Sequence, residues 1–282
     1  MLAGVRRFTM ADSDPPQGSD CWGRLNEVAD ITPILTILDT LPEGFRDARR
    51  AMLGHLGLHA TSQVLEAGSG PGTALPDLLE WVGPNGRIVG IDPTRALVVQ
   101  AQERAREARA PQAAYDVGDI RQIDWPDNSF DAAFCDKILV HVGPVSQALD
   151  QLVRVTRAGG RVGAVEWFSQ GMAIAADYAL TRQVLDGSAP AGALNPMAPL
   201  ELERLLSAAG LRQIEAGSIV AESRRYLPSL KVMLQRRAQQ AADLGAISMK
   251  AGAEWLQELE SREARGEFYW AALVRWAAGS KP

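Results

Sequence analysis

Of the 282 residues, 46% are hydrophobic, enough to bury a substantial core within one domain and its additions. A formal net charge of -5 at pH 7 argues against a general nucleic-acid binder, whose surface is basic, and no apolar run approaches a membrane span. Cys21 and Cys135 lie far apart with no CxxC pair, so a reduced, cytoplasmic chain without a structural zinc site is expected.

The opening MLAGVRRFTM carries two arginines with no long apolar stretch behind them, which argues against a secretory signal, and Met10 is a second candidate start. The stretch ending in ADSDPPQGSD reads as a mobile arm. Helical spacing of apolar residues runs from Trp22 to Leu41. A second helix follows in EGFRDARRAMLGHLGL, with Phe45, Ala48, Met52 and Leu56 on one side. His55 and His59 in LGHLGLHA have neither a third ligand nor an intervening Glu, and read as an ordinary exposed pair.

An alternation then sets in. Ser62–Ala67 reads as a short buried strand, Thr73–Val82 as a helix, Gly83–Gly86 as a turn and Arg87–Ile91 as a strand. Thr94–Ala108 is a helix with Leu97, Val98 and Ala101 inward; Ala113–Val117 and Ser129–Cys135 are strands. Pro144–Thr156 is a helix closed by Gly159 and Gly160, and Arg161–Phe168 is a strand. Strands separated by crossover helices imply parallel pairing in a layered α/β sheet. Downstream, Pro199–Gly210 reads as a helix, Arg212–Val220 as a strand and Glu267–Ala277 as an aromatic-rich strand. Two stretches break the rhythm: residues 169–199, an alanine-rich helix with a Pro/Gly loop, and residues 223–266, a pair of polar helices. Such insertions usually sit on the rim where substrates bind.

In VLEAGSGPG an apolar strand runs into glycines, which lets a ligand touch bare backbone. A phosphate-binding P-loop would need Gly-Lys-Ser/Thr, but Pro71-Gly72-Thr73 follows. The G-x-G-x-x-G dinucleotide pattern would put its third glycine at Thr73. Asp92, closing RIVGID, is placed to accept from both hydroxyls of a ribose, which suits NAD and any other adenosine ligand equally. The VGDI stretch tips the balance. Asp119 and Ile120 suit an adenine amino group and ring face, while Glu66 at the end of the first strand suits a cationic group and would repel a pyrophosphate.

Taken together, VLEAGSGPG, RIVGID, VGDI, PDNSFDAAF and AGGRVGAVEWF resemble the class I S-adenosylmethionine-dependent methyltransferases, in particular the ubiquinone/menaquinone-type small-molecule branch. The likeness covers Val64 to Phe168 and, more loosely, FYWAALVRWAAGSKP. It implies a Rossmann-like, seven-stranded, mostly parallel sheet whose antiparallel C-terminal strand is inserted between its neighbours. Residues 1–57 would form a mobile arm and helical lid. Residues 58–282 would form the S-adenosylmethionine-binding domain, with cap insertions at 169–199 and 223–266.

Carried over residue by residue, the resemblance implies that Glu66, Gly68, Ser69, Gly70 and Gly72 surround the methionine part of the cofactor. Asp92, with Pro93 beside it, would take the ribose hydroxyls, and Asp119 and Ile120 the adenine. The segment from Asp136 and Lys137 to His141 would border the sulfonium. Pro71 departs from the threonine common in relatives, at the loss of a backbone donor. Displacement at a sulfonium needs alignment and exclusion of water, and a base only if the acceptor loses its proton early.

His141 is the candidate base, set against a role in helix-start packing. Glu166 is a second catalytic candidate, set against a solvated strand end. Lys137 could neutralise an acidic acceptor or simply pair with Asp136. Trp22 as part of a lid, His141, Trp167 and Tyr178 are candidates for the acceptor pocket. The expected activity is methyl transfer to a small-molecule acceptor at O, N or C, with S-adenosylhomocysteine as product. The expected partners are that acceptor and a second copy of the chain, with no nucleic acid, metal or membrane span. A macromolecule methyltransferase, and an S-adenosylmethionine-binding protein serving as a cyclisation catalyst or partner subunit, are the alternatives.

Overall fold

The computed structural model describes residues 30–188 and 193–282. Two helices come first, α1 (Thr32–Asp39) and α2 (Glu43–Gly54). The alternating part follows: β1 (Gln63–Ala67), α3 (Leu75–Leu79), β2 (Arg87–Asp92), α4 (Arg95–Glu107), β3 (Ala113–Val117), β4 (Phe130–Asp136), α5 (Val145–Val155) and β5 (Thr156–Ile174). The remainder comprises α6 (Tyr178–Gly187), α7 (Leu202–Ala208), β6 (Arg212–Ser223), α8 (Pro228–Asp243), α9 (Met249–Ala264) and β7 (Trp270–Ser280).

The strands form one seven-stranded sheet in the order β3-β2-β1-β4-β5-β7-β6. All neighbouring pairs from β3 to β5 are parallel, and β7 runs antiparallel to both β5 and β6, as the resemblance implied. The central strands are buried on both faces, as helix-covered parallel strands must be. Alternation along them divides the core. Val64, Ile88, Ala132 and Phe134 pack with α2 and α4 on one face. Leu65, Val89, Ala133 and Cys135 pack with α5 and α7 on the other.

Three expectations are corrected. The helix expected over 73–82 shrinks to α3, because residues 68–74 are spent in the turn that follows β1. β5 begins at Thr156, directly after α5, and runs to Ile174, so the first residues of the 169–199 insertion continue the sheet. Ala173 and Ile174 pair with Ala271 and Trp270 of β7 after a register shift. Within 1–57, α2 is a fixed layer rather than a lid. Phe45, Ala48, Met52 and Leu53 are buried, and a Cβ on Gly44 would lie 2.6 Å from Ala221 Cα in β6. The 223–266 segment supplies α8 and α9, which pack with α6; Trp255 Nε1 donates to Thr181 Oγ1 at 2.9 Å. Among the described residues, no helix is long and apolar enough to cross a membrane.

Candidate active site

The site candidates converge where β1, β2 and β4 end, on the carboxyl edge of the parallel strands. The chain leaves β1 through Gly68 and Gly70, whose φ values of 81° and 53° lie in the left-handed region. The two glycines serve different ends. At Gly68 there is no room: a Cβ would stand 2.2 Å from Ile138 Cδ1. At Gly70 the nearest atom to a Cβ is Leu38 Cδ1 of α1 at 3.7 Å, so conformation rather than space asks for glycine. The turn is tied to β2, since the Gly68 and Ser69 N–H groups both donate to the Ile91 carbonyl, at 2.7 and 3.0 Å. Gly72, φ 78°, closes the turn by donating to the Ser69 carbonyl.

Asp92 bridges this turn to α4. Its Oδ2 accepts from Gly70 N–H at 2.9 Å and its Oδ1 from Thr94 N–H at 2.8 Å. The residue thus ties the turn to the start of α4 from the end of β2. Pro93 follows at the strand end, half-buried. Past β3, Asp119 sits as expected, but Arg121 forks onto both of its oxygens, with Nη2 at 2.6 Å from Oδ2. Burial raises the Asp119 carboxyl, yet the hydrogen bonds from Arg121 outweigh this and hold it below its usual range. Ile120 is buried against the core around Ile91 and Leu65.

Glu66, Asp136 and Lys137 meet a residue the sequence reading passed over. Arg49 of α2 is buried and places Nη1 3.1 Å from Asp136 Oδ2 and Nη2 2.7 Å from Asp77 Oδ2. Its Nη2 also donates to the Thr73 carbonyl at 3.3 Å, so one guanidinium spans the turn after β1, α3 and the end of β4. Lys137 Nζ lies 2.6 Å from Asp136 Oδ1, and Lys137 itself has φ 65°, uncommon for a residue with a side chain. Burial pushes the Asp136 carboxyl up, but Lys137 and Arg49 more than reverse this. Glu66 is pushed up to about 8: burial dominates, Arg49 and Lys137 offset part of it, and Asp136 and Asp92 add to it. Its Oε2 is buried without a hydrogen-bond partner.

The acceptor-side candidates separate. His141 lies half-buried on the loop between β4 and α5, its N–H donating to the Ile138 carbonyl at 2.8 Å. Glu166 is not at the rim. It is fully buried inside the extended β5, and its Oε1 accepts from Leu139 N–H at 2.5 Å. Burial pushes it up to about 8. Trp167 packs edge-on to Phe45, with ring centroids 5.6 Å apart, and beside Trp270, so it belongs to the core under α2. Tyr178 is 79% exposed at the start of α6. Trp22 lies outside the described residues. The histidine pair is also accounted for: His55 Nδ1 is 2.9 Å from Glu215 Oε2, and His59 Nδ1 is 3.1 Å from Thr61 Oγ1.

Arg49 was legible only as a basic residue four positions from both Phe45 and Leu53, on the apolar stripe of its helix. Asn195, which hydrogen-bonds the loop carrying His141, stands in ALNPM, where only a turn signal can be read.

Residues 64–160 match the family model described as a methyltransferase domain. An uncharacterized 37.1 kDa protein in a Streptomyces fradiae transposon is 32% identical over 264 residues, covering 89% of this chain and 72% of that protein. A demethylmenaquinone methyltransferase from Beutenbergia cavernae is 32% identical over 160 residues, covering 55% of this chain and 60% of that enzyme. The chain spans half or less of the length of several other curated relatives. Among solved structures, the YcgJ protein from Bacillus subtilis superposes with a TM-score of 0.57 at 18% identity, covering 84% of this chain and 98% of that one.

Proposed function

The chain belongs to the class I S-adenosylmethionine-dependent methyltransferases, and on that premise we propose that it moves a methyl group to a small, hydrophobic acceptor at oxygen, nitrogen or carbon. The observation that carries this reading is the pairing of a left-handed glycine turn with an unpartnered, buried Glu66 Oε2. A buried carboxylate oxygen without a donor is costly unless a ligand brings one, and an α-ammonium group does so. Asp92, at the end of β2 beside the glycine turn, is the carboxylate placed to take the ribose hydroxyls. The residues present therefore fit S-adenosylmethionine. Asp119 is the weaker partner for the adenine amino group, because Arg121 already holds its carboxylate.

When bound, the cofactor supplies a methyl group activated by its sulfonium. The chain's own residues do the rest. Glu66 and the glycine turn orient the amino-acid end, and Asp92 the ribose. The backbone from Asp136 to His141, held over the turn by Ile138, shields the reacting side from water. His141 is the proton acceptor of this reading: an imidazole nitrogen takes the proton of the acceptor's O–H or N–H as its bond to carbon forms. Glu166 does not compete for that role, since it is fully buried and bound to Leu139 N–H. A small acceptor rather than nucleic acid is supported by the net charge of -5, and a hydrophobic one by the printed name of the Beutenbergia relative, a demethylmenaquinone methyltransferase.

Calorimetric titration with S-adenosylhomocysteine tests the cofactor assignment. Asp92→Ala is expected to weaken binding about a hundredfold, the worth of two hydrogen bonds to a charged group, and the isosteric Asp92→Asn to weaken it less. Binding by Asp92→Ala as tight as by wild type removes Asp92 from the site, and no binding by wild type removes the reading.

A further inference from the structure

The loop that follows β4 is gripped from two sides. On its amide side, Glu166 Oε1 accepts from Leu139 N–H, and Ile138 N–H also turns toward this carboxyl. On its carbonyl side stands Asn195, from the segment between α6 and α7. Its backbone N–H donates to the Val140 carbonyl at 3.1 Å, while its Nδ2 donates to the Leu139 carbonyl at 3.0 Å and to the Val142 carbonyl. A carboxamide has two N–H bonds, and here each is committed to a different carbonyl. Leu139, Val140 and Val142 are buried, so water is a poor substitute for the bonds Asn195 makes. The neighbouring Leu194 reaches within 3.3 Å of the point a Cβ on Gly143 would occupy, which adds an apolar contact to the same clamp.

What the clamp holds matters more than the clamp. One side chain of this loop, Ile138, lies over Gly68, and the loop also carries His141, the proton acceptor of the reading above. We propose that Asn195 is a positioning residue that fastens the segment 193–200, ahead of α7, to the loop 138–142, so that this segment sets how Ile138 and the loop carrying His141 stand against the cofactor. This rests on the assignment of the glycine turn as the cofactor site. Coupling of this kind is reciprocal: a ligand that fixes the loop also steadies the segment 193–200.

The test compares full-length wild type with Asn195→Asp, which has the same shape but offers no N–H and turns a carboxylate toward carbonyl oxygens. Two readouts are taken: ligand-free amide hydrogen exchange, and calorimetric affinity for S-adenosylhomocysteine. Exchange at Leu139 and His141 is expected to accelerate about tenfold or more, while Val64–Ala67 in β1 and Ile88–Asp92 in β2 stay as in wild type. Affinity is expected to fall about tenfold, roughly one hydrogen bond. In wild type, the ligand should slow exchange at 194–200, and in the variant it should not.

Exchange and affinity within about twofold of wild type overturn the proposal, and so does acceleration spread evenly over the whole sheet, the mark of a purely structural residue. Asn195→Ala, which removes the side chain without adding charge, carries the same test if Asn195→Asp does not fold. Wild type that fails to bind the ligand defeats the cofactor assignment instead, and the exchange comparison still decides whether Asn195 holds the loop.

Discussion

At the scale of single residues, Glu166 shows how burial turns a catalytic candidate into a fixture. Its position after VGAV is legible as the end of a buried strand, which suggested a carboxylate on the rim. The strand continues because Ala173 and Ile174 pair with β7, and that pairing lies about a hundred residues away in sequence, beyond the reach of local pattern. Burial pushes Glu166 up to about 8 from an ordinary 4.5, so the folded protein binds this proton more tightly than the unfolded chain does. Its contribution to stability is intact below about pH 4.5, where both states are protonated, and is lost progressively as pH rises toward 8. Glu166→Gln keeps an oxygen for Leu139 N–H and has no charge to suppress. Its stability should match wild type near pH 4.5 and exceed it increasingly up to pH 8, by an amount on the order of a few kcal/mol at most, with a matching rise in melting temperature. Thermal melts across that range check this; a variant less stable than wild type at pH 8 contradicts it.

At the scale of elements, α2 joins fold and site. Its amphipathic stripe was readable from Phe45, Ala48 and Met52, but its destination was not, since periodicity tells which face is buried and not against what. It lies across β5, β6 and β7 and delivers Arg49 to Asp77 and Asp136. Removing one member of a buried ionic cluster leaves the others uncompensated. Arg49→Met is expected to lower unfolding stability by about 3–5 kcal/mol, and Arg49→Lys, which keeps the charge but not the fork, by less. Urea denaturation measures both. Equal losses would show that charge matters little and the planar fork carries the effect. The glycine turn is the opposite case: its backbone demand is written directly in GSGPG, so the element was legible down to the residue.

At the scale of the whole molecule, the sheet was foreseeable in strand count and in alternation, while the order β5-β7-β6 came from family likeness and not from periodicity. β7 donates and accepts on both of its edges, and its Trp270, Val274 and Ala277 side chains are fully buried. A chain ending at Tyr269 should therefore not be a slightly shorter enzyme. It is expected to lose cooperative unfolding of the β5–β6 half and to expose enough apolar surface to aggregate, which circular dichroism melts and light scattering would register. A cooperative melt like that of the full chain contradicts this.

The same strand sets a timetable. On the ribosome the N-terminal part of a chain emerges first, so β1 to β5 can assemble a parallel half-sheet while the rest is still being made. β6 emerges next without a strand to pair with, because its neighbour in the sheet among the described residues is β7, more than forty residues later in the chain. Through that interval a twelve-residue strand waits with both edges open, its face covered by α2 and α7, which are made before it. The keystone is laid after the stones it locks, and the rate at which the last stretch is synthesised becomes a determinant of how much of the protein arrives folded.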